Sequence, residues 1–384
     1  MNTYSLLTSS RVNAGPGSIE SLTEIAADLG AKNALIISDK GVAGAGLLDR
    51  PQALLKAAGA SVKVIDNTPP EPDVSQVEAI LEAARGTDWN LVVGIGGGSA
   101  MDVAKIVAVM LGNEVKLRDL LNKAPIPRRG VPTVMVPTTA GTGSEATPNS
   151  IILVPEDELK VGIVSPKLMP DCVILDPQMT LGLPPAITAS TGMDALTHAI
   201  ECYTSKKGNP FSEMIALKAI RLISRSIREA FRNGKNLEAR HDMLLGAFYG
   251  GMCIATSSTT AVHALAYPLG GKYRIAHGIS NAILLPYVMQ FNAVGNETKF
   301  RDIAEAMELD VAAGSDEQAA GAVVDALYAL NRDLDIPADL KRWAITEADL
   351  DTLVEGAAKV TRLLDNNPRP MDKDDIRGIY RKLL

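Results

Sequence analysis

The sequence predicts an α/β domain with a parallel sheet over residues 1–185, followed by an all-helical domain over residues 186–384. In the first part, short apolar runs alternate with helical segments of about a dozen residues, an order typical of βαβ units around a mostly parallel sheet. From about Pro184 onwards, helical spacing dominates and strand-like runs nearly vanish. A chain of 384 residues is long enough for two domains, each with its own core.

Each predicted element follows from a local pattern. In the first part, strands are expected at 33–38, 61–65, 90–94 and 133–136, and helices at 47–58, 74–85 and 99–111. The run PPEP (69–72) requires extended backbone, and Asp73 behind it is placed to cap the second of these helices. In the second part, helices are expected at 189–203, 211–233, 239–255, 298–307, 319–330 and 349–361.

The composition argues against several functional classes. The net charge is -7 and no dense basic stretch is present, so nucleic acid is not expected as the main partner. No apolar run reaches the roughly 18 residues of a membrane-spanning helix, and residues 1–15 lack the pattern of a signal peptide. The three cysteines, Cys172, Cys202 and Cys253, lack CxxC spacing, which favours buried thiols in a reducing cytoplasm.

A glycine-rich loop lies between a predicted strand and a predicted helix. Gly96, Gly97 and Gly98 follow the strand, and Ser99 opens the helix. Glycines allow backbone amides to approach a phosphate closely, and a helix N-terminus adds aligned N–H groups. Ser99 and Asp102 also have the spacing of a capping box. Because the loop is not a GxGxxG sequence, a tight turn without a ligand stays open beside phosphate binding.

A second loop, PTTAGTGSE (137–145), follows the next predicted strand. Its small residues and the hydroxyls of Thr138, Thr139 and Thr142 suit the lining of a pyrophosphate or ribose, although a polar turn would share this composition. Two such loops at the carboxyl ends of predicted strands together indicate a dinucleotide.

Asp39 ends the first predicted strand. A carboxylate there can accept hydrogen bonds from a ribose 2′-hydroxyl and would repel a 2′-phosphate, which favours NAD over NADP. The other interpretation is a turn residue that precedes Lys40 and Gly41.

Asp194 and His198 lie four residues apart in a predicted helix, so their side chains share one face. His263 and His277 follow later in the chain. One carboxylate and three imidazoles suit Zn²⁺, Fe²⁺ or Mn²⁺ and leave room for a substrate oxygen. A histidine taken alone is more often a core or surface residue than a metal ligand. The remaining histidine, His241, lies in a charged segment and is expected at a solvated helix position.

Four segments match a known family in a consistent order along the chain. They are GGGSAMDVAK (96–105), PTTAGTGSE (137–145), TGMDALTHAIE (191–201) and HGISNAILLPYVM (277–289). On these segments the chain resembles the iron-containing, or group III, alcohol dehydrogenases, a group that includes lactaldehyde reductase and 1,3-propanediol dehydrogenase. The likeness extends over nearly the whole chain.

The resemblance implies a dehydroquinate synthase-like architecture, with an N-terminal dinucleotide-binding α/β domain, a helical metal-binding domain and a catalytic ion in the cleft. It also implies NAD, one divalent ion (Fe²⁺ or Zn²⁺) and a homo-oligomer, a dimer or larger. The family's metal ligands fall on Asp194, His198, His263 and His277. Its cofactor contacts fall on Asp39, the glycine loop from Gly96 to Ser99, Thr138, Thr139, Thr142 and Lys160. For Lys160, only the resemblance suggests contact with the nicotinamide ribose.

Two segments depart from the family pattern. TPPEP (68–72) replaces an Asn-Pro loop near the adenine, so no side-chain role is predicted there. Tyr267 stands where many members carry a second histidine near the active site. A phenol, with an ordinary pKa of about 10, relays protons poorly near neutral pH. We therefore expect Tyr267 to shape the substrate pocket or to orient water; simple packing ahead of Pro268 is the alternative.

The predicted function is metal-dependent transfer of a hydride between NAD(H) and a small primary alcohol or aldehyde. A small hydroxy acid such as 4-hydroxybutyrate is an alternative substrate. A dehydroquinate synthase-like lyase would need a basic pocket that the sequence does not indicate, and the intact ligand set disfavours a metal-free maleylacetate reductase. A non-catalytic metal- or nucleotide-binding protein would not need both loops and the full ligand set together.

Overall fold

The computed structural model describes residues 3–157 and 159–384, which divide into two compact units. Residues 7–183 form the first unit. Residues 184–384, together with residues 3–6, form the second.

Strands occur in the first unit, and their bounds are β1 Arg11–Ala14, β2 Asn33–Ile37, β3 Ser61–Ile65, β4 Leu91–Gly96, β5 Thr133–Pro137, β6 Asn149–Val154, β7 Leu159–Val164 and β8 Cys172–Leu175. Within the described residues, six strands form one sheet in the order β1-β8-β5-β4-β2-β3, and all neighbours are parallel. The strands β6 and β7, which the sequence did not predict, form a separate antiparallel hairpin. The predicted α/β class with a parallel sheet is confirmed.

The helices of the first unit are α1 Leu22–Asp28, α2 Lys40–Gly44, α3 Asp49–Ala57, α4 Val74–Ala84, α5 Gly98–Gly112 and α6 Leu117–Leu121. Successive side chains of a strand point to opposite faces of the sheet, and apolar residues are buried on both faces. On β2, Leu35 and Ile37 belong to the apolar cluster that includes α4 and α5. Ala34 and Ile36 belong to the cluster that includes α1 and α3.

The helix predicted over 47–58 begins later than expected, at Asp49, and a short helix that was not predicted precedes it. Asp39 caps this short helix, α2, because its side chain accepts a hydrogen bond from the backbone N–H of Val42 at 3.0 Å. Gly46 follows the helix with a φ of 72°, a left-handed conformation that suits glycine and stops the helix.

The second unit is helical, and none of its described residues lies in a strand. Its helices are α7 Pro185–Thr204, α8 Pro210–Arg232, α9 Leu237–Thr256, α10 Ala261–Tyr273, α11 His277–Ala293, α12 Glu297–Ala306, α13 Asp316–Asp333, α14 Leu350–Ala358, α15 Thr361–Leu364 and α16 Lys373–Arg381. Gly192 allows α7, α8 and α9 to pack closely, because a Cβ there would lie 2.7 Å from Met243 and 2.9 Å from Ile227. Among the described helices, none has the length and apolar character that crossing a membrane requires.

Candidate metal centre and cofactor loops

The second unit brings together the four side chains that were predicted as metal ligands. One ligand atom from each of Asp194, His198, His263 and His277 can be chosen so that all four lie within 4.8 Å of one another. The Nε2 atoms of His198, His263 and His277 lie 3.8, 3.8 and 3.7 Å from Asp194 Oδ1. His241 lies outside this cluster on α9, where it is half-buried instead of solvated as expected.

Three helices position these side chains. Asp194 and His198 are one turn apart on α7, whereas His263 lies in the first turn of α10 and His277 is the first residue of α11. The absence of a side chain at Gly278 lets α11 approach α7, because a Cβ there would lie 2.2 Å from the carbonyl oxygen of Ser190. This close approach brings His277 beside Asp194.

The charge of Asp194 is stabilised although the residue is buried. Burial opposes ionisation, but the three imidazoles and a hydrogen bond from Asn281 together hold the pKa of Asp194 below its ordinary value. Asn281 Nδ2 donates to Asp194 Oδ1 at 2.7 Å. The carboxylate is therefore held in its anionic form, the form that binds a cation.

Sequence reasoning missed two residues of this centre, Asn281 and Glu201. Glu201 lies on α7, three residues after His198 and seven after Asp194, so helical spacing puts all three on one face. Asn281 follows His277 by four residues on α11. Both residues could have been found by extending the i, i+3 and i, i+4 pattern from the predicted ligands.

In the first unit, the two predicted cofactor loops lie at the carboxyl ends of the neighbouring strands β4 and β5. The N–H of Thr138 donates to the carbonyl of Gly96 at 2.9 Å. A Cβ at Gly97 would lie 3.6 Å from Thr139, and a Cβ at Gly98 would lie 2.8 Å from Thr142. The glycines thus let the first loop lie directly against the second.

Asp39 joins the same edge of the sheet from β2, the neighbour of β4. Its Oδ2 atom would lie 3.1 Å from a Cβ built on Gly96. Its other oxygen, Oδ1, accepts the capping hydrogen bond from Val42. The carboxylate that was predicted to select the ribose therefore lies next to the glycine loop.

The predicted capping box of Ser99 and Asp102 is wrong. Gly97 is the N-cap of α5, and no side chain caps the helix. Asp102 instead accepts hydrogen bonds from the Ser144 hydroxyl and from the N–H of Ile151, the latter at 2.9 Å. These donors come from Ser144 in the second loop and from Ile151 on β6, outside the first turn of α5.

Lys105, which was not predicted as a functional residue, holds the second loop against α5. It is 1% exposed, pairs with Asp102 at 3.0 Å and donates to the carbonyl of Ser144 at 2.9 Å. It also donates to the carbonyls of Thr147 and Asn149. Glu145 is buried nearby, and burial raises its pKa to about 7.

Lys160 lies on β7 and forms an ion pair with Glu71 at 2.5 Å. The backbone N–H of Glu71 donates to Ser99 Oγ at 3.2 Å, so Lys160 is linked through Glu71 to the glycine loop. The structure thus places Lys160 near the predicted cofactor loops, in a segment whose role only the resemblance had suggested.

Tyr267 lies one turn after His263 on α10 and is half-buried. Its ring centroid is 6.4 Å from that of His277. Burial raises the pKa of Tyr267, and the positive charge of the Arg362 guanidinium opposes this effect. The phenol therefore stays protonated near neutral pH and can act as a hydrogen-bond donor beside the metal centre.

Comparison with known proteins places these features in a family. Residues 9–177 match the iron-containing alcohol dehydrogenase family, and residues 188–384 match the family described as Fe-containing alcohol dehydrogenase, C-terminal. The chain is 39% identical to long-chain-alcohol dehydrogenase 1 of Geobacillus thermodenitrificans over 96% of this chain and 93% of the relative.

Solved structures agree with this match. The crystal structure of a 1,3-propanediol oxidoreductase superposes with a TM-score of 0.95 at 35% identity and covers 100% of both chains. The structure of sulfoacetaldehyde reductase from Bifidobacterium kashiwanohense in complex with NAD+ superposes with a TM-score of 0.91 at 29% identity, covering 100% of this chain and 99% of that one.

The chain belongs to the iron-containing alcohol dehydrogenase family. It is an oxidoreductase of the alcohol dehydrogenase class, and both the predicted family and the predicted fold are confirmed.

Proposed function

We propose that the protein transfers a hydride between NAD(H) and a small primary alcohol or aldehyde, and that Asp194, His198, His263 and His277 hold one divalent ion. The observation that carries this proposal is the convergence of the four ligand atoms within 4.8 Å. Fe²⁺ is the ion we favour because of the family, and Zn²⁺ suits the same ligands.

The ligand atoms lie close enough together that small side-chain movements would let them share one ion. Metal–ligand bonds of about 2.1 Å set neighbouring ligand atoms about 3.4 Å apart in a tetrahedron. The three imidazole nitrogens lie 3.7–3.8 Å from Asp194 Oδ1, slightly wider than this value. Since three ligands are neutral imidazoles and one is a carboxylate, the ligand set leaves part of the ion's charge uncompensated.

When bound, the ion supplies a Lewis acid that polarises the alcohol or aldehyde oxygen, and NAD(H) accepts or supplies the hydride. The protein's residues orient these groups. Asn281 holds the proposed ligand Asp194, and Tyr267 offers a protonated hydroxyl to the substrate pocket. In the first unit, the glycine loop and Thr138, Thr139 and Thr142 are proposed to bind the pyrophosphate, with Asp39 and Lys160 as ribose contacts.

Turnover with a panel of alcohols tests the proposal. The metal-loaded protein should form NADH from NAD+ with one or more small primary alcohols, and His277→Ala, which removes a ligand, should lose this activity. Failure of the metal-loaded protein to oxidise any alcohol or to reduce any aldehyde would contradict the proposed reaction.

A hydroxy acid is a second candidate substrate, and Arg362 is the observation that favours it. This side chain is exposed, lies beside Tyr267 and is close enough to His263 to oppose the protonation of that imidazole. In the described part of the chain, it forms no ion pair with a carboxylate. A guanidinium in this position suits the carboxylate of a substrate such as 4-hydroxybutyrate.

The ratio of kcat/KM for 4-hydroxybutyrate to that for 1-butanol separates the two candidates. If Arg362 binds the carboxylate, Arg362→Gln should lower this ratio about 10- to 100-fold, the scale of a hydrogen bond to a charged group. A wild-type preference for 1-butanol, unchanged in the variant, would leave the unsubstituted alcohol as the substrate.

Assembly and location complete the proposal. We expect a homo-oligomer, a dimer or larger, and the exposed apolar side chains of Phe211 and Met214 at the start of α8 are surfaces that a partner copy could cover. Light scattering after size-exclusion chromatography measures the number of copies in the assembly. The three cysteines are free and buried, in keeping with the expected reducing cytoplasm.

A further inference from the structure

A buried carboxylate, Glu201, lies behind one of the proposed metal ligands. Glu201 is 0% exposed, and its Oε2 atom lies 2.5 Å from His263 Nδ1. Its Oε1 atom accepts hydrogen bonds from the Thr260 hydroxyl at 2.8 Å and from the backbone N–H of Val262 at 2.6 Å. Both carboxylate oxygens are therefore engaged by groups at the start of α10.

These contacts determine which nitrogen of His263 carries a proton. An ionised carboxylate can only accept hydrogen bonds, so Nδ1 of His263 must be the donor to Glu201. In the neutral imidazole, the lone pair then resides on Nε2. This is the nitrogen that lies 3.8 Å from Asp194 Oδ1, among the other ligand atoms.

We propose that Glu201 is a positioning residue of the metal centre, which holds His263 in the Nδ1-protonated tautomer with Nε2 directed at the ion. The inference rests on the proposed function, because it assumes that His263 is a ligand. Carboxylates that accept the second N–H of a ligating histidine fix its tautomer and ring orientation, and their loss typically weakens metal binding about 10- to 100-fold.

The substitution Glu201→Gln distinguishes this role from simple packing. The amide has nearly the same volume but only one accepting oxygen. The backbone N–H of Val262 can only donate a hydrogen bond, so the side-chain oxygen of the glutamine should accept it. The NH₂ group of the glutamine should then face His263. An NH₂ group requires an acceptor at Nδ1, which moves the proton to Nε2, the nitrogen that the ion needs unprotonated.

Thr260→Val is the matched control. It keeps the volume of a fully buried residue and removes one hydrogen bond to Oε1, but it leaves the contact between Glu201 and His263 intact. If Glu201 serves packing alone, Thr260→Val should weaken metal binding at least as much as Glu201→Gln does. The tautomer role predicts that the two variants differ in metal affinity.

The measurement is competition between the Zn²⁺-loaded protein and a chelator, with the Co²⁺ absorption spectrum as a report on ligand geometry and thermal unfolding as a report on the fold. We expect Glu201→Gln to bind Zn²⁺ about 10- to 100-fold more weakly and to show an altered Co²⁺ spectrum, while NADH affinity is unchanged. Thr260→Val should bind Zn²⁺ within about threefold of wild type. Wild-type affinity and an unchanged spectrum in Glu201→Gln would overturn the proposal.

A second measurement covers the case in which Glu201→Gln fails to fold. The chain has 4 histidines, so ¹⁵N chemical shifts of the imidazoles in the metal-free wild-type protein can be assigned. We expect His263 to carry its proton on Nδ1 even without metal, and a proton on Nε2 alone would overturn the proposal. If the wild-type protein binds no divalent ion at all, the proposed function fails, whatever the tautomer of His263.

Discussion

The contact between the two cofactor loops makes Gly98→Ala the most informative substitution in the first unit. A Cβ at this position would lie 2.8 Å from both Cγ2 and Oγ1 of Thr142 and 3.1 Å from its Cβ. Ordinary contacts of a Cβ lie at 3.4–4 Å. The variant must therefore push the second loop away from the first by about half an ångström or more.

The expected loss follows from this overlap. Forcing one extra carbon into a well-packed site costs about 1–3 kcal/mol. If the loops must come together again to bind the dinucleotide, this cost appears as a roughly 5- to 150-fold weaker NADH affinity. Helix propensity acts in the opposite direction, because alanine stabilises a helix by up to about 1 kcal/mol relative to glycine, so the fold itself should survive.

Fluorescence titration with NADH is the assay, and two variants serve as controls. Gly97→Ala adds a carbon to the same loop at an ordinary 3.6 Å from Thr139, so its loss should be smaller. Thr142→Ala removes both atoms at 2.8 Å, so the double variant with Gly98→Ala should bind NADH better than the two single losses predict. Equal losses in Gly97→Ala and Gly98→Ala, or strict additivity in the double variant, would refute the packing argument.

Three further outcomes follow from the structure. Asp39→Gly should raise kcat/KM for NADP+ relative to NAD+, because the carboxylate beside the glycine loop is removed; a wild-type preference for NADP+ would contradict this role. Tyr267→Phe should lower kcat/KM slightly and leave its pH profile unchanged, since burial raises the pKa of this phenol; a loss of about a hundredfold together with a missing titration would instead indicate a general base. Glu145, with a pKa raised from 4.5 to about 7, holds a proton in the folded state that the unfolded state releases, so stability should fall as pH rises across this interval. In Glu145→Gln, the change in the free energy of unfolding across this pH interval should be smaller by up to about 3 kcal/mol. Denaturant unfolding measures this change, and an identical pH dependence in both proteins would refute the prediction.

The Asp194–His198 pair and the two loops could be predicted because their signals are local, whereas His263 and His277 were assigned as ligands by the family resemblance. An i, i+4 pair on a helix and glycines between a strand and a helix are visible over a few residues. The strand β3 was predicted with its observed bounds, and α4 was predicted to within one residue because Asp73 caps it through a capping box with Gln76.

Features that depend on tertiary contact could not be predicted in this way. The helices α10 and α11 are buried on most sides and contain Pro268 and Pro286, so they lack the amphipathic period that marks a surface helix. The roles of Lys105 and Asp102 depend on the second loop lying against α5, which follows from β5 pairing with β4. Local spacing does not specify this pairing, so Asp102 resembled a helix cap in sequence and proved to be a loop anchor in the structure.

Removal of the metal ion tests whether turnover depends on an ion held by the four proposed ligands. The protein should be stripped with a chelator, analysed for residual metal, and assayed for alcohol oxidation and NADH binding before and after Fe²⁺ or Zn²⁺ is restored. Because the proposed metal ligands and cofactor contacts are different residues, the metal-free protein should lose turnover, keep its NADH affinity, and recover activity on reconstitution. Full alcohol oxidation by protein shown to contain no metal would contradict a metal-dependent hydride transfer.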